Sequence, residues 1–172
     1  ITEGLVGSEM CIRDSSPGFE RVEFVANPNG EVSWVTSEER GRMPFVLQQF
    51  KWGKWVDGVR IDGLGGPEKR HYYVQFKPVR GENILRLTHL AADGALEVKG
   101  EARFTSNATA VTFDYDHKTQ TIAFSEEIQY EVVNAFGTVV LQGHGTDVIL
   151  SYLARGEYIV NCGARSETFK KR

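Results

Sequence analysis

Hydrophobic and polar residues alternate in short runs along most of the chain. RVEFVA sets Val22 and Phe24 on one face with Glu23 opposite, EVSWVTS groups Val32, Trp34 and Thr36, and FVLQQF pairs Phe45 with Leu47. A period of two over a few residues marks a strand with one face in a core. Turn dipeptides punctuate the runs: Asn29-Gly30, Asp57-Gly58, Asp62-Gly63, Gly65-Gly66, Arg80-Gly81, Asp93-Gly94, His144-Gly145 and Arg155-Gly156. Asn29-Gly30 predicts a type I′ hairpin, in which both central residues take positive φ. No long amphipathic helical pattern occurs. From Phe19 to about Phe104 the runs predict about seven strands, at the turn spacing of a β-sandwich.

Small polar residues then fill TSNATA, Thr105 to Ala110, which reads as a linker. A second series follows: AVTFDY, TIAFSE, IQYEVVN, TVVLQG, DVILSYL, EYIVNC and SETFKK. The predicted fold is all-β, two small antiparallel β-sandwich domains in tandem over residues 17–105 and 106–172. Residues 1–16 are set apart. GLVGSEMCIRDS, residues 4–15, has neither a strand nor a helical period, and the chain opens at Ile1. The string resembles the translated read-through of a sequencing adapter. By that resemblance the protein starts near Ser16 and is the C-terminal remnant of a longer one; otherwise the segment is a short disordered arm.

Composition narrows the function classes. A net charge of −3 and a pI near 5.8 are not the basic footprint of a nucleic-acid-binding domain. No apolar run reaches the roughly 18 residues that a membrane-spanning helix requires. With Cys11 in the segment set apart, Cys162 stands alone in a strand-like run and reads as a small buried hydrophobe.

Candidate chemistry is sparse. His71, His89, His117 and His144 show no ligand spacing, and Asp114, Asp116 and His117 lack the glycine and terminal glutamate of a calcium loop. Glu38-Glu39-Arg40 reads as a solvated charge run. Neither a nucleophile elbow nor a phosphate loop is present, so the expectation is no enzyme, no cofactor and no metal. Trp34 reads as core. Trp52 and Trp55, flanking a turn at Gly53-Lys54, are candidates for stacking on sugar rings, or for packing in a core or an interface.

GENILRLTHLAADG, with Pro78 before Gly81, then Arg86-Leu87 and Asp93-Gly94, resembles the fibronectin-III-like sandwiches of large secreted Bacteroidetes proteins. Trp34, Thr36 and Ser37-Glu38 match a second segment of that pattern, and Trp55 follows the Gly53 turn. Ile84, Leu85 and Ala91 depart from it. Residues 130–172 are similar to the type A C-terminal sorting domain of the type IX secretion system. The likeness rests on a turn from Asn134 to Gly137, Val148-Ile149-Leu150, the run Leu153, Gly156, Tyr158 and Val160, and the basic end Lys170, Lys171 and Arg172. The family's Tyr-Pro-Asn-Pro opening is replaced by Phe113 to Gln120.

The sorting resemblance implies export to the outer surface of a Gram-negative cell, with the secretion machinery and a sortase-like peptidase as partners. Asn134, Gly137, Gly156, Tyr158, Lys170, Lys171 and Arg172 are then the signal. Read from their chemistry alone, Gly137 and Gly156 supply permissive φ, Tyr158 buries its ring and leaves its hydroxyl wet, and the basic tail blunts an edge strand. The first sandwich is a spacer or interaction module. The alternatives are a carbohydrate-binding or adhesin module with a surface polysaccharide as ligand, or the subunit of a surface fibre.

Overall fold

The computed structural model describes residues 22–39, 41–42, 44–91 and 93–172, which divide into two compact units between Ala108 and Thr109. The adapter-like string and Arg40 lie outside the described residues. Every named element is a strand, as the alternation predicts.

Unit 1 holds β1 (Val22–Ala26), β2 (Glu31–Thr36), β3 (Phe45–Lys51), β4 (Lys54–Ile61), β5 (Arg70–Gln75), β6 (Gly81–Leu90) and β7 (Leu96–Ser106). They form two antiparallel sheets, ordered β1-β2-β5 and β4-β3-β6-β7. Phe24, Val32, Trp34 and Tyr72 from the first sheet meet Phe45, Leu47, Leu85, Leu87 and Ala102 from the second in one buried cluster. Trp34 stacks on Tyr72 at 5.1 Å between ring centroids and tilts against Phe45 at 5.6 Å. This is an antiparallel β-sandwich, its inner faces supplied by every second residue of each strand. β7 runs on through Thr105 and Ser106, the start of the expected linker.

Two of the predicted turns are something else. Asp57-Gly58 lies inside β4, where Gln48 pairs with Asp57 but Val46 with Arg60, so the glycine sits in a bulge rather than a connection. At Asn27–Glu31 the Gly30 N–H donates to the Asn27 carbonyl and the Asn27 N–H to the Glu31 carbonyl. Only Gly30 takes positive φ there, at 89°. The loop is therefore a type I turn closed by a left-handed glycine, not type I′. The same pair of bonds recurs at Ala91–Ala95 and at Asn134–Thr138.

The charge run is the larger correction. Glu38 is exposed, but Glu39 is only 4% exposed. Thr36 Oγ1 and Tyr72 Oη both donate to Glu39 Oε1, the latter at 2.6 Å, and the Gly65 N–H donates to Oε2 at 2.7 Å. Tyr72 Oη also accepts the Leu64 N–H at 2.9 Å. A carboxylate surrounded by donors is stable in a core that would otherwise exclude it. Here it ties the loop after β2 to the loop before β5.

Unit 2 holds β8 (Phe113–Asp116), β9 (Thr121–Asn134), β10 (Val139–Ile149), β11 (Gly156–Cys162) and β12 (Arg165–Lys171). The alternation predicts seven short strands here. Instead TIAFSE and IQYEVVN fuse into β9, and TVVLQG and the start of DVILSYL, through Ile149, into β10, with His144-Gly145 inside the strand. The β9–β10 register shifts between Val139 and Leu141 and again between Gly145 and Asp147, irregularities of the kind that bend a strand. One continuous sheet, β10-β9-β11-β12 with β8 also on β9, thus makes both layers. Its curl brings Tyr115 of β8 to within 5.0 Å of the Phe169 ring on β12. Ile122, Val132, Val160 and Cys162 are fully buried between the layers, placing Cys162 in the core as its sequence context predicts.

Candidate functional site

The outer face of β4-β3-β6-β7 follows from strand parity. Phe45 and Leu47 point into the core, so Gln48 and Phe50 lie together on the opposite face of β3; Leu85 and Leu87 point in, so Arg86 points out. Phe50 pairs with Trp55 and Gln48 with both Asp57 and Arg86, which gathers these side chains on one patch.

The patch is ordered by specific contacts. The Arg86 guanidinium lies over the Trp55 ring, 4.2 Å from its centroid, and Phe50 meets Trp55 edge-on at 5.3 Å. Arg86 Nε donates to Gln48 Oε1 at 2.6 Å, while Gln48 Nε2 donates to Asp57 Oδ1 at 2.5 Å. Phe50 remains 41% exposed. Trp55 is thus half-buried beneath a cation rather than in the core.

Trp52 is placed differently. The turn is Trp52-Gly53, not Gly53-Lys54: φ is 56° at Trp52 and 77° at Gly53, and Lys51 pairs with Lys54 across it. This is the type I′ geometry predicted for Asn29-Gly30. A bulky residue in the left-handed region costs about 1–2 kcal/mol relative to the right-handed one, and asparagine or glycine normally takes that position. Lys51 Nζ sits 4.3 Å from the centre of the Trp52 ring.

The sorting-signal residues fall into two sets. Asn134 closes the β9–β10 hairpin: its Oδ1 accepts the N–H groups of Phe136 and Thr138 at 3.0 and 2.9 Å, and Gly137 has φ of 80°. At the tip Phe136 is 92% exposed; its signal in the sequence is only its place inside a tight turn, where an aromatic has nowhere to bury itself. Lys170 and Arg172 are exposed.

Three expectations are corrected. Gly156 begins β11 without positive φ, and an added Cβ would meet Tyr158 Cε2 at an ordinary 3.8 Å, so no permissive backbone is required. The Tyr158 hydroxyl is not left to water but donates to the Ala154 carbonyl at 2.9 Å. Lys171 is buried, with Nζ donating to the carbonyls of Leu150, Ser151 and Leu153 at 2.5, 3.0 and 2.5 Å. Period two from Phe169, which also points inward, was the available signal.

The histidines scatter. His89 is buried 5.0 Å from the Phe45 ring, His71 and His117 are exposed, and His144 Nδ1 lies 3.4 Å from Glu127. Asp114 and Asp116 are exposed; Asp116 accepts the Lys118 N–H, which holds its carboxyl below the usual range. Among the described residues no group of three or more His, Cys, Asp or Glu is arranged to hold a metal ion. Among the described residues no helix is long and apolar enough to cross a membrane.

No family model and no curated protein matches the sequence. Among solved structures, the chain is similar to a tetra-tandem repeat in the extending region of a large adhesion protein, at 14% identity and a TM-score of 0.35. That match covers 88% of this chain and 48% of the other, so the chain spans about half the length of that structure. It is also similar to the chicken CNTN1 FN1-FN3 domains, at 10% identity and a TM-score of 0.29, covering 91% and 67% of the two chains.

Proposed function

We propose that the chain is a non-catalytic pair of modules from a secreted, cell-surface protein. Unit 1 binds glycan through the β3–β4 hairpin, and unit 2 is a type IX sorting domain read by the secretion machinery and a sortase-like peptidase. The observation that carries the glycan reading is Trp52, held at left-handed φ at the tip of the hairpin whose strands carry the Phe50–Trp55 pair. Backbone strain held at a half-buried aromatic on a hairpin tip supports a binding role for it. For unit 2, support comes from the motif order and from the placement of Asn134, Gly137, Lys170 and Arg172 at a hairpin and on the outer surface.

Each half has its own test. Trp52→Gly relieves the left-handed strain, so it is expected to stabilise unit 1 by about 1 kcal/mol while abolishing the tryptophan-fluorescence response to added polysaccharide. A variant that loses stability, or one that keeps the response, removes the stacking role. A periplasmic reporter fused to residues 109–172 is expected to reach the surface of a cell with type IX secretion. Equal export when those residues are deleted removes the sorting assignment.

A further inference from the structure

Arg86 is held more firmly than a surface arginine needs to be. Its plane is fixed on Trp55 and its Nε is committed to Gln48 Oε1. A guanidinium has five N–H donors, and among the described residues no acceptor meets the Nη groups of Arg86. Glu101 stands opposite Arg86 in the β6–β7 register, yet among the described residues no ion pair joins them. The other acid of the patch, Asp57, accepts from Gln48 Nε2. Glu82 is turned to Arg103 at 3.5 Å.

The result is a planar fork, immobilised at its root and open at its prongs, on the Trp55 ring that Phe50 meets edge-on. A planar fork matches a carboxylate with two parallel hydrogen bonds, which an ammonium cannot do. Aromatic rings next to it suit the apolar face of a sugar.

We infer that the ligand of this face is a uronate-containing polysaccharide, with its carboxylate bound by the Nη groups of Arg86 and its rings stacked on Phe50 and Trp52. This rests on the glycan-binding reading above. Arg86 sets specificity for the acid, whereas the aromatics supply contact area.

The test uses the full chain and three polymers: polygalacturonate, the same polymer with its carboxyls reduced to neutral alcohols, and poly-L-glutamate. Calorimetric titration is expected to show binding to polygalacturonate, weakened tenfold or more by carboxyl reduction, and poly-L-glutamate binding at least tenfold more weakly. Arg86→Gln and Arg86→Lys, both checked for an unchanged melting transition, are each expected to lose tenfold or more, while Lys170→Gln matches the parent. Should Arg86→Lys also match the parent, the fork has no role and charge alone is at work. Equal binding of the neutral polymer overturns the acid specificity but leaves sugar stacking intact. Equal binding of poly-L-glutamate overturns the glycan assignment in favour of a general polyanion site. Silence toward both polysaccharides, with Trp52→Ala also silent, removes the underlying glycan reading.

Discussion

Glu39→Ala is expected to destabilise unit 1 by about 3–4 kcal/mol, since it strips the acceptor from three donors at once. Thr36 Oγ1, Tyr72 Oη and the Gly65 N–H all end on that carboxylate, and Thr36 and Tyr72 are themselves buried. Glu39→Gln keeps the shape and one oxygen for the two hydroxyls, but turns an amide N–H₂ toward the Gly65 N–H. Its cost is expected to be about 1–2 kcal/mol, the penalty of one orphaned buried donor. Domains of this size have about 5–15 kcal/mol in all, so the alanine variant sits near its unfolding threshold at room temperature. Urea denaturation followed by Trp34 fluorescence reads both variants. Equal midpoints for Glu39→Ala and the parent would show that the network adds nothing.

The same network carries a pH signature. Burial, and then the hydrogen bond to Glu39, push the Tyr72 hydroxyl from 10.0 up to about 12. Below pH 10 both folded and unfolded chains keep that proton, and the contribution to stability is constant. Between pH 10 and pH 12 the unfolded chain releases it and the folded one does not, so stability falls across that window. The loss amounts to about 2–3 kcal/mol at roughly 1.4 kcal/mol per pH unit. Tyr72→Phe is expected to flatten this part of the pH profile, leaving the other tyrosines to titrate.

What the sequence disclosed and what it hid divide along a physical line. Period-two alternation is a local property, and it places Trp34, Phe45 and Leu47 in the core without knowledge of their partners. Glu39 has no such signal. Its partners Tyr72 and Gly65 are far along the chain, and beside Glu38 and Arg40 it looks like one more solvated charge. The fusion of seven runs into five strands escaped for a related reason: Gly143 and Gly145 have the composition of a turn, but whether a glycine turns the chain or bulges it depends on the strand opposite. At Gly143 that strand supplies Tyr130, whose hydroxyl would lie 2.7 Å from an added Cβ. Of the candidate site, the residue types Trp52 and Trp55 were legible. Arg86 was legible only as part of a family pattern, because its place over Trp55 depends on the registers of β3 with both neighbours.

Lys171→Met is expected to destabilise unit 2 by about 2–4 kcal/mol, a cost of the order found when charged hydrogen bonds to several buried groups are removed together. The substitution nearly preserves volume and keeps the inward face of β12 apolar, so it isolates the ammonium. Without it the carbonyls of Leu150, Ser151 and Leu153 lose their shared donor, and the loop from β10 to β11 loses the group that draws it against the terminal strand. Tyr158, bonded to Ala154, holds only the far end of that loop. Hydrogen exchange is therefore expected to accelerate first at Ser151 to Arg155, before β9 or β11 respond. Lys170→Gln, one residue away and exposed, is expected to stay within about 0.5 kcal/mol of the parent. The contrast separates the two meanings of a basic tail. If Lys171→Met abolishes export of the reporter and Lys170→Gln with Arg172→Gln leaves it intact, the machinery needs a folded unit 2 and not its terminal charges. If the exposed pair alone abolishes export from a unit that still melts normally, those charges are read directly. Unchanged melting of Lys171→Met would instead place the three carbonyls in contact with water and deny the clamp.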